Sequence, residues 1–121
     1  MAYVDGFVLP VKKSAVKKYL KMAQWGKRIW MKHGALDYKE CIGDDLKVKF
    51  GMSFSQLAKL KPGETVFYSF IVYKSRAHRD AVNRKVMKEM EAGGGMPADM
   101  PFDVKRMAYG GFKTLVDGRK R

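Results

Sequence analysis

Six polar side chains stand in segments that otherwise read as apolar strands: Asp5, Glu40, Ser69, Tyr73, Arg106 and Tyr109. A carboxyl group in such a setting is partly desolvated, which raises its pKa and suits it to accept a proton from a bound molecule. Arg106 could hold an anionic substrate through two parallel hydrogen bonds. If the six converge, they form a pocket between the sheet and a partner, with Ser69 and Tyr73 marking it on the third strand. The competing reading is structural, with Asp5 or Glu40 pairing with Arg106 to neutralise buried charge across the sheet.

Other chemistry is less well supported. Arg76 and Arg79 follow Ser75 at the start of a helix, where free N–H groups and two guanidinium groups could bind a phosphate or carboxylate; alternatively they pair with Asp80. His33 ends a helix, where a protonated ring complements the helix dipole, and His78 is expected at the surface. Cys41 reads as a buried small hydrophobe, because no histidine is placed to activate it. No Cys/His spacing suits zinc, neither glycine cluster is followed by the Lys-Ser/Thr of a phosphate-binding loop, and no HExxH motif occurs. No metal or cofactor is expected.

The central element is Glu64 to Tyr73, a run of β-branched and aromatic residues without Gly or Pro. Both of its alternating faces are apolar: Val66, Tyr68, Phe70 and Val72 on one, Phe67, Ser69, Ile71 and Tyr73 on the other. Helices of the same chain cover one face. The second, assigned to Phe67, Ser69, Ile71 and Tyr73, is expected to meet another copy of the chain.

Around this strand the chain predicts an orderly series. Residues 2–9 alternate as a first strand ended by Pro10, which has no N–H for a ladder. A helix follows from about Lys12 to His33, capped by Ser14 or begun at Lys12, with Val16, Tyr19, Ala23 and Trp30 on its apolar face and Gly34 closing it. Residues 35–42 alternate as a second strand, with Leu36, Tyr38, Glu40 and Ile42 on one side. A turn at Gly43-Asp44-Asp45 and a short helix holding Phe54, Leu57, Ala58 and Leu60 lead to Pro62-Gly63 and the central strand. Ser75 caps a helix from Arg76 to about Met90 with Val82, Val86 and Met90 on its core side. Gly93-Gly94-Gly95 ends that helix, and residues 96–101 form an irregular connection. A last strand runs from about Val104 to Val116, with Gly110-Gly111 marking a bulge or a close approach. The order implies an α+β, ferredoxin-like βαββαβ fold with a four-stranded antiparallel sheet.

The chain has 121 residues and a formal charge of +13. One domain over residues 1–117 with a basic tail at 118–121 accounts for the length. Residues 12–32 hold eight Lys or Arg and no acid. Lys17, Lys18, Lys21, Arg28 and Lys32 cluster on the outer face with Trp25 among them, an arrangement found in single-strand nucleic-acid binders; the alternatives are a solvated basic face, with Gly26 turning Trp25 onto a loop or subunit. A single cysteine, no basic leader and no membrane-length apolar run point to the cytoplasm.

Several blocks in order resemble the YbaA-like family of small bacterial proteins of unknown function. They are Tyr3-Val4-Asp5-Gly6-Phe7, Gly34-Ala35-Leu36, Glu40-Cys41 with Gly43-Asp44-Asp45, Ser75 through Asn83, and Met100-Pro101-Phe102-Asp103 with Lys105 through Phe112. The resemblance implies a dimeric α+β barrel of two ferredoxin-like protomers and no established activity. Three functions follow as expectations: a homodimer binding a small, anionic ligand between its sheets; a cofactor-independent enzyme of monooxygenase or isomerase type; or a nucleic-acid module using the first helix.

Overall fold

The computed structural model describes residues 2–95 and 99–119. Met1, residues 96–98 of the expected connection, and Lys120 and Arg121 of the expected tail lie outside them. Four strands, β1 (Tyr3–Lys12), β2 (Asp37–Ile42), β3 (Glu64–Tyr73) and β4 (Ala108–Lys113), form one antiparallel sheet in the order β2-β3-β1-β4. The connections β1 to β2 and β3 to β4 each step over one strand and carry the helices α1 (Val16–Lys32) and α3 (Arg76–Ala92). This is the α+β, ferredoxin-like arrangement expected from the element order.

β1 runs through Pro10 to Lys12, three residues past the expected end at residue 9. The backbone explains this. Val66, the partner of Pro10, turns its carbonyl toward Gly43 on the β2 side, so Pro10 turns its nitrogen away from β3 and past the end of β4. No ladder bond is lost there.

The two faces of β3 are assigned the other way round from the sequence expectation. Phe67, Ile71 and Tyr73 are packed under the helices with Tyr3 and Leu9 of β1. The alternation therefore turns Val4, Val8, Tyr68, Phe70, Val72 and Phe112 to the opposite face. Tyr68 is 47% and Phe112 63% exposed. The helix α2 (Phe54–Leu57) covers one end of this open face, its Phe54 ring edge-on to Tyr68. Ser53 and Gln56 close α2 with a capping box, a signature present in the sequence but not recognised there.

Helix α1 begins at Val16 after a 3-10 turn over Lys13–Ala15, and Ser14 does not cap it. Its inner face is Tyr19, Ala23, Gly26 and Ile29, and Gly34 ends it at φ +112°. Helix α3 matches the expectation closely. Ser75 Oγ accepts from the His78 N–H, and Val82, Val86 and Met90 are buried. The last strand is shorter than expected, because Val104–Arg106 is a 3-10 turn held by the Asp103 carboxylate. Gly111 is required by a close approach: a Cβ there would lie 2.2 Å from the Tyr3 hydroxyl. Register with β1 is continuous, so there is no bulge.

Candidate ligand cavity

Between the helices and the covered sheet face lies a cavity of about 660 Å³. Its floor is the sheet, through Asp5, Phe7, Leu9, Tyr38, Glu40, Ser69 and Ile71. Its walls are α1 (Tyr19, Ala23, Gly26, Trp30) and α3 (Arg79, Asn83, Met90). Phe102 and Met107, from the segment before β4, close one end, and Trp25, Met87 and Tyr109 form exposed parts of the lining. The pocket thus lies on the helix side of the sheet, whereas the sequence placed it toward a partner.

Two carboxyl groups stand in this floor, on neighbouring rows of the sheet. Asp5 accepts a hydrogen bond of 2.7 Å from Arg79, and Arg79 also donates to Asp80 at 2.8 Å. The Asp5–Arg79 pair is mostly buried, with side chains 10% and 19% exposed. Burial pushes the Asp5 pKa up more strongly than Arg79 pulls it down. Asn83 Oδ1 receives Trp30 Nε1–H at 3.1 Å and the Tyr73 hydroxyl at 3.3 Å, which ties both helices to the sheet beside this pair.

Glu40 is held differently. Its Oε1 accepts from the Tyr19 hydroxyl at 2.7 Å and its Oε2 from the Tyr38 hydroxyl at 3.1 Å. Ser69 stands directly across on β3, and its hydroxyl helps to hold the Glu40 pKa down. Among the described residues no Lys, Arg or His comes within salt-bridge distance of this carboxyl. Burial raises its pKa, while the hydroxyl donors act to lower it. Burial and the nearby Glu40 charge push both tyrosine pKa values well upward, so the two rings remain O–H donors.

Of the other residues singled out from the sequence, Arg106 leaves the site altogether. It lies in the 3-10 turn, forks onto Glu64 with two bonds of 2.7 Å and reaches Asp103 at 2.9 Å. Neither Asp5 nor Glu40 pairs with it, because the turn carries it to the β3 end of the sheet. Tyr109 stacks on Phe7 at 5.9 Å and contributes to the cavity lining. Ser69 lines the cavity, and Tyr73 is fully buried beside it. Arg79 pairs with Asp5 and Asp80, while Arg76 is exposed in the first turn of α3. Cys41 is exposed on the open sheet face, not buried, since it alternates with Glu40. His33 contacts Glu89 at 2.9 Å, and His78 is half-buried, accepting from the Lys74 N–H. Lys17, Lys18, Lys21, Arg28 and Lys32 are exposed, but Lys18 and Lys32 pair with Asp99 and Glu89.

Sequence reasoning missed Tyr19, Tyr38 and Asn83 as site residues. The available signal was tyrosine in place of phenylalanine at core-facing positions, since a buried hydroxyl needs an acceptor. Gly26 does not serve, as the sequence suggests, to turn Trp25 onto a loop or subunit. Its absent side chain instead makes room for Tyr38, whose hydroxyl would lie 2.7 Å from a Cβ at position 26.

A match to the family described as protein of unknown function (DUF1428) spans residues 2–104. The chain belongs to this family. The uncharacterized protein YbaA of Escherichia coli (strain K12) is 38% identical over 119 residues, covering 97% of this chain and 99% of that protein. YbaA of Shigella flexneri gives the same figures. The YbaA-like resemblance read from the sequence blocks is therefore correct. Among solved structures, the de novo designed protein Foldit4 matches at a TM-score of 0.44 and 8% identity, covering 97% of this chain and 100% of that one. In this DUF1428 chain the described residues contain no group of three His, Cys, Asp or Glu able to hold a metal ion, and no helix long and apolar enough to cross a membrane.

Proposed function

We propose that this protein is a cytoplasmic homodimer that binds one small, largely apolar molecule between its sheet and its helices. The observation that carries the reading is the cavity of about 660 Å³, a volume in the range of small-molecule sites, with apolar and aromatic walls and few polar groups. An anionic ligand draws little support from this geometry, because Arg79 is already satisfied by two carboxylates. The homodimer is supported by the open sheet face, where Tyr68, Phe112 and the exposed Phe54 form an apolar surface that a second copy would bury. The exposed Cys41 thiol suits a reducing compartment.

The test is titration with benzyl alcohol, followed by thermal shift and tryptophan fluorescence. Trp25 and Trp30 both line the cavity, so binding should quench or shift their emission. Ala23 lines the cavity from the middle of α1, and Ala23→Phe should fill the space and abolish binding. Binding that survives Ala23→Phe unchanged, or no binding at millimolar probe, defeats the reading.

A second reading is a cofactor-independent enzyme of monooxygenase or isomerase type. It is favoured by one feature, a carboxyl with raised pKa in an apolar cavity, since Glu40 would accept a proton from a bound carbon or oxygen acid. The nucleic-acid reading draws less support. Trp25 lies on the cavity lining, and two of the five basic residues on its helix face are already paired.

A further inference from the structure

We propose that the ligand of this cavity carries a positively charged amine, which Glu40 receives as an ion pair; this rests on the cavity reading above. The two carboxylates of the floor are unequal. Asp5 has its counter-ion in Arg79, which it shares with Asp80. Glu40 has hydroxyl donors only, so its charge is hydrogen-bonded but not neutralised.

A cation-free carboxylate in an apolar cavity is costly, and the cost is recovered by whichever group brings a positive charge to it. A protein side chain does not do so here. The hydroxyls of Tyr19 and Tyr38 approach from α1 and β2 and occupy one lone pair on each oxygen, which leaves acceptor capacity on both. Aromatic rings line the cavity that Glu40 faces: Tyr19, Tyr38, Trp30 and Phe7. Their π faces attract an ammonium group, and more strongly where water is excluded. The chain as a whole is +13. Its surface therefore does not gather cations, and selection of an amine falls to this internal carboxylate and its rings.

The probes are three molecules of one shape that differ in charge: benzylammonium, benzyl alcohol and benzoate. Titration of the wild-type protein at pH 7 and 0.15 M salt should rank them in that order. Benzylammonium should bind about tenfold or more tightly than benzyl alcohol, the factor expected of one charge-assisted hydrogen bond. In Glu40→Gln, which keeps the size of the side chain and removes the charge, that preference should vanish while benzyl alcohol still binds. The wild-type ranking is decisive even if Glu40→Gln fails to fold. Benzyl alcohol or benzoate binding as tightly as benzylammonium overturns the amine assignment and leaves the cavity reading standing, and so does a preference that survives Glu40→Gln. Failure of all three probes to bind overturns both.

Discussion

Replacing Gly26 by alanine would ordinarily stabilise a helix interior by about 0.8–1 kcal/mol. In this protein we expect the opposite sign. A Cβ at position 26 would stand 2.7 Å from the Tyr38 hydroxyl and 3.6 Å from its ring carbon Cζ. Either the ring stays, at an overpacking cost of about 1–3 kcal/mol, or it swings away and loses its bond to Glu40, a bond to a charged acceptor worth about 1.5–3 kcal/mol. After subtracting the propensity gain, the net loss is roughly 0.5–2 kcal/mol. That corresponds to a fall of about 2–10 °C in Tm for a chain of this size. Tyr38→Phe removes the oxygen and leaves Cζ at an ordinary contact distance, so in that background Gly26→Ala should stabilise. Urea unfolding followed by tryptophan fluorescence on the two single variants and the double variant gives the coupling, expected at about 1–3 kcal/mol. If Gly26→Ala stabilises both backgrounds equally, Tyr38 does not lie over Gly26 and the floor of the cavity is built differently.

Arg79→Ala leaves Asp5 buried without its counter-ion and should cost about 2–4 kcal/mol in urea unfolding, whereas Asp5→Asn in the Arg79→Ala background should recover part of it. Glu40 holds its proton to higher pH in the folded chain than in the unfolded one, so its contribution to stability falls as pH rises above its unfolded value of 4.5. Wild type should therefore lose stability relative to Glu40→Gln between pH 4.5 and neutrality, and a constant difference would contradict the burial of that carboxyl. Glu64 behaves in the reverse sense, because the Arg106 fork holds its pKa down to about 2. Its stabilising contribution is complete above pH 4.5 and is lost as pH falls toward 2, and Arg106→Ala should flatten this acid limb in pH-dependent unfolding. Tyr68→Asp and Phe112→Asp, both on the open sheet face, should convert a dimer to a folded monomer in light scattering, with Cys41 becoming easier to alkylate. A dimer that persists in both variants places the interface elsewhere.

Much of this architecture is legible in the chain itself because it depends on local periodicity. The period-2 run of Glu64 to Tyr73, the i, i+4 stripe of Val82, Val86 and Met90, the Ser75 cap and the Gly34 stop are each decided within a few residues. The same holds for the element order that names the fold, and for the five blocks that place the chain in its family. What periodicity states is that a strand has two faces, but not which face the crossovers cover. That choice belongs to the path of α1 and α3 over the sheet, and it reversed the expected roles of Phe67, Ser69, Ile71 and Tyr73. Tertiary structure also decided the charge pairing. Asp5 meets Arg79 from 74 positions away because β1 lies under the first turns of α3, while the turn before β4 carries Arg106 off to Glu64. Glu40 remains without a counter-ion for the same reason: Lys39, the one cation of β2, alternates to the other face of the strand and pairs with Asp37, and among the described residues neither helix brings another cation to it.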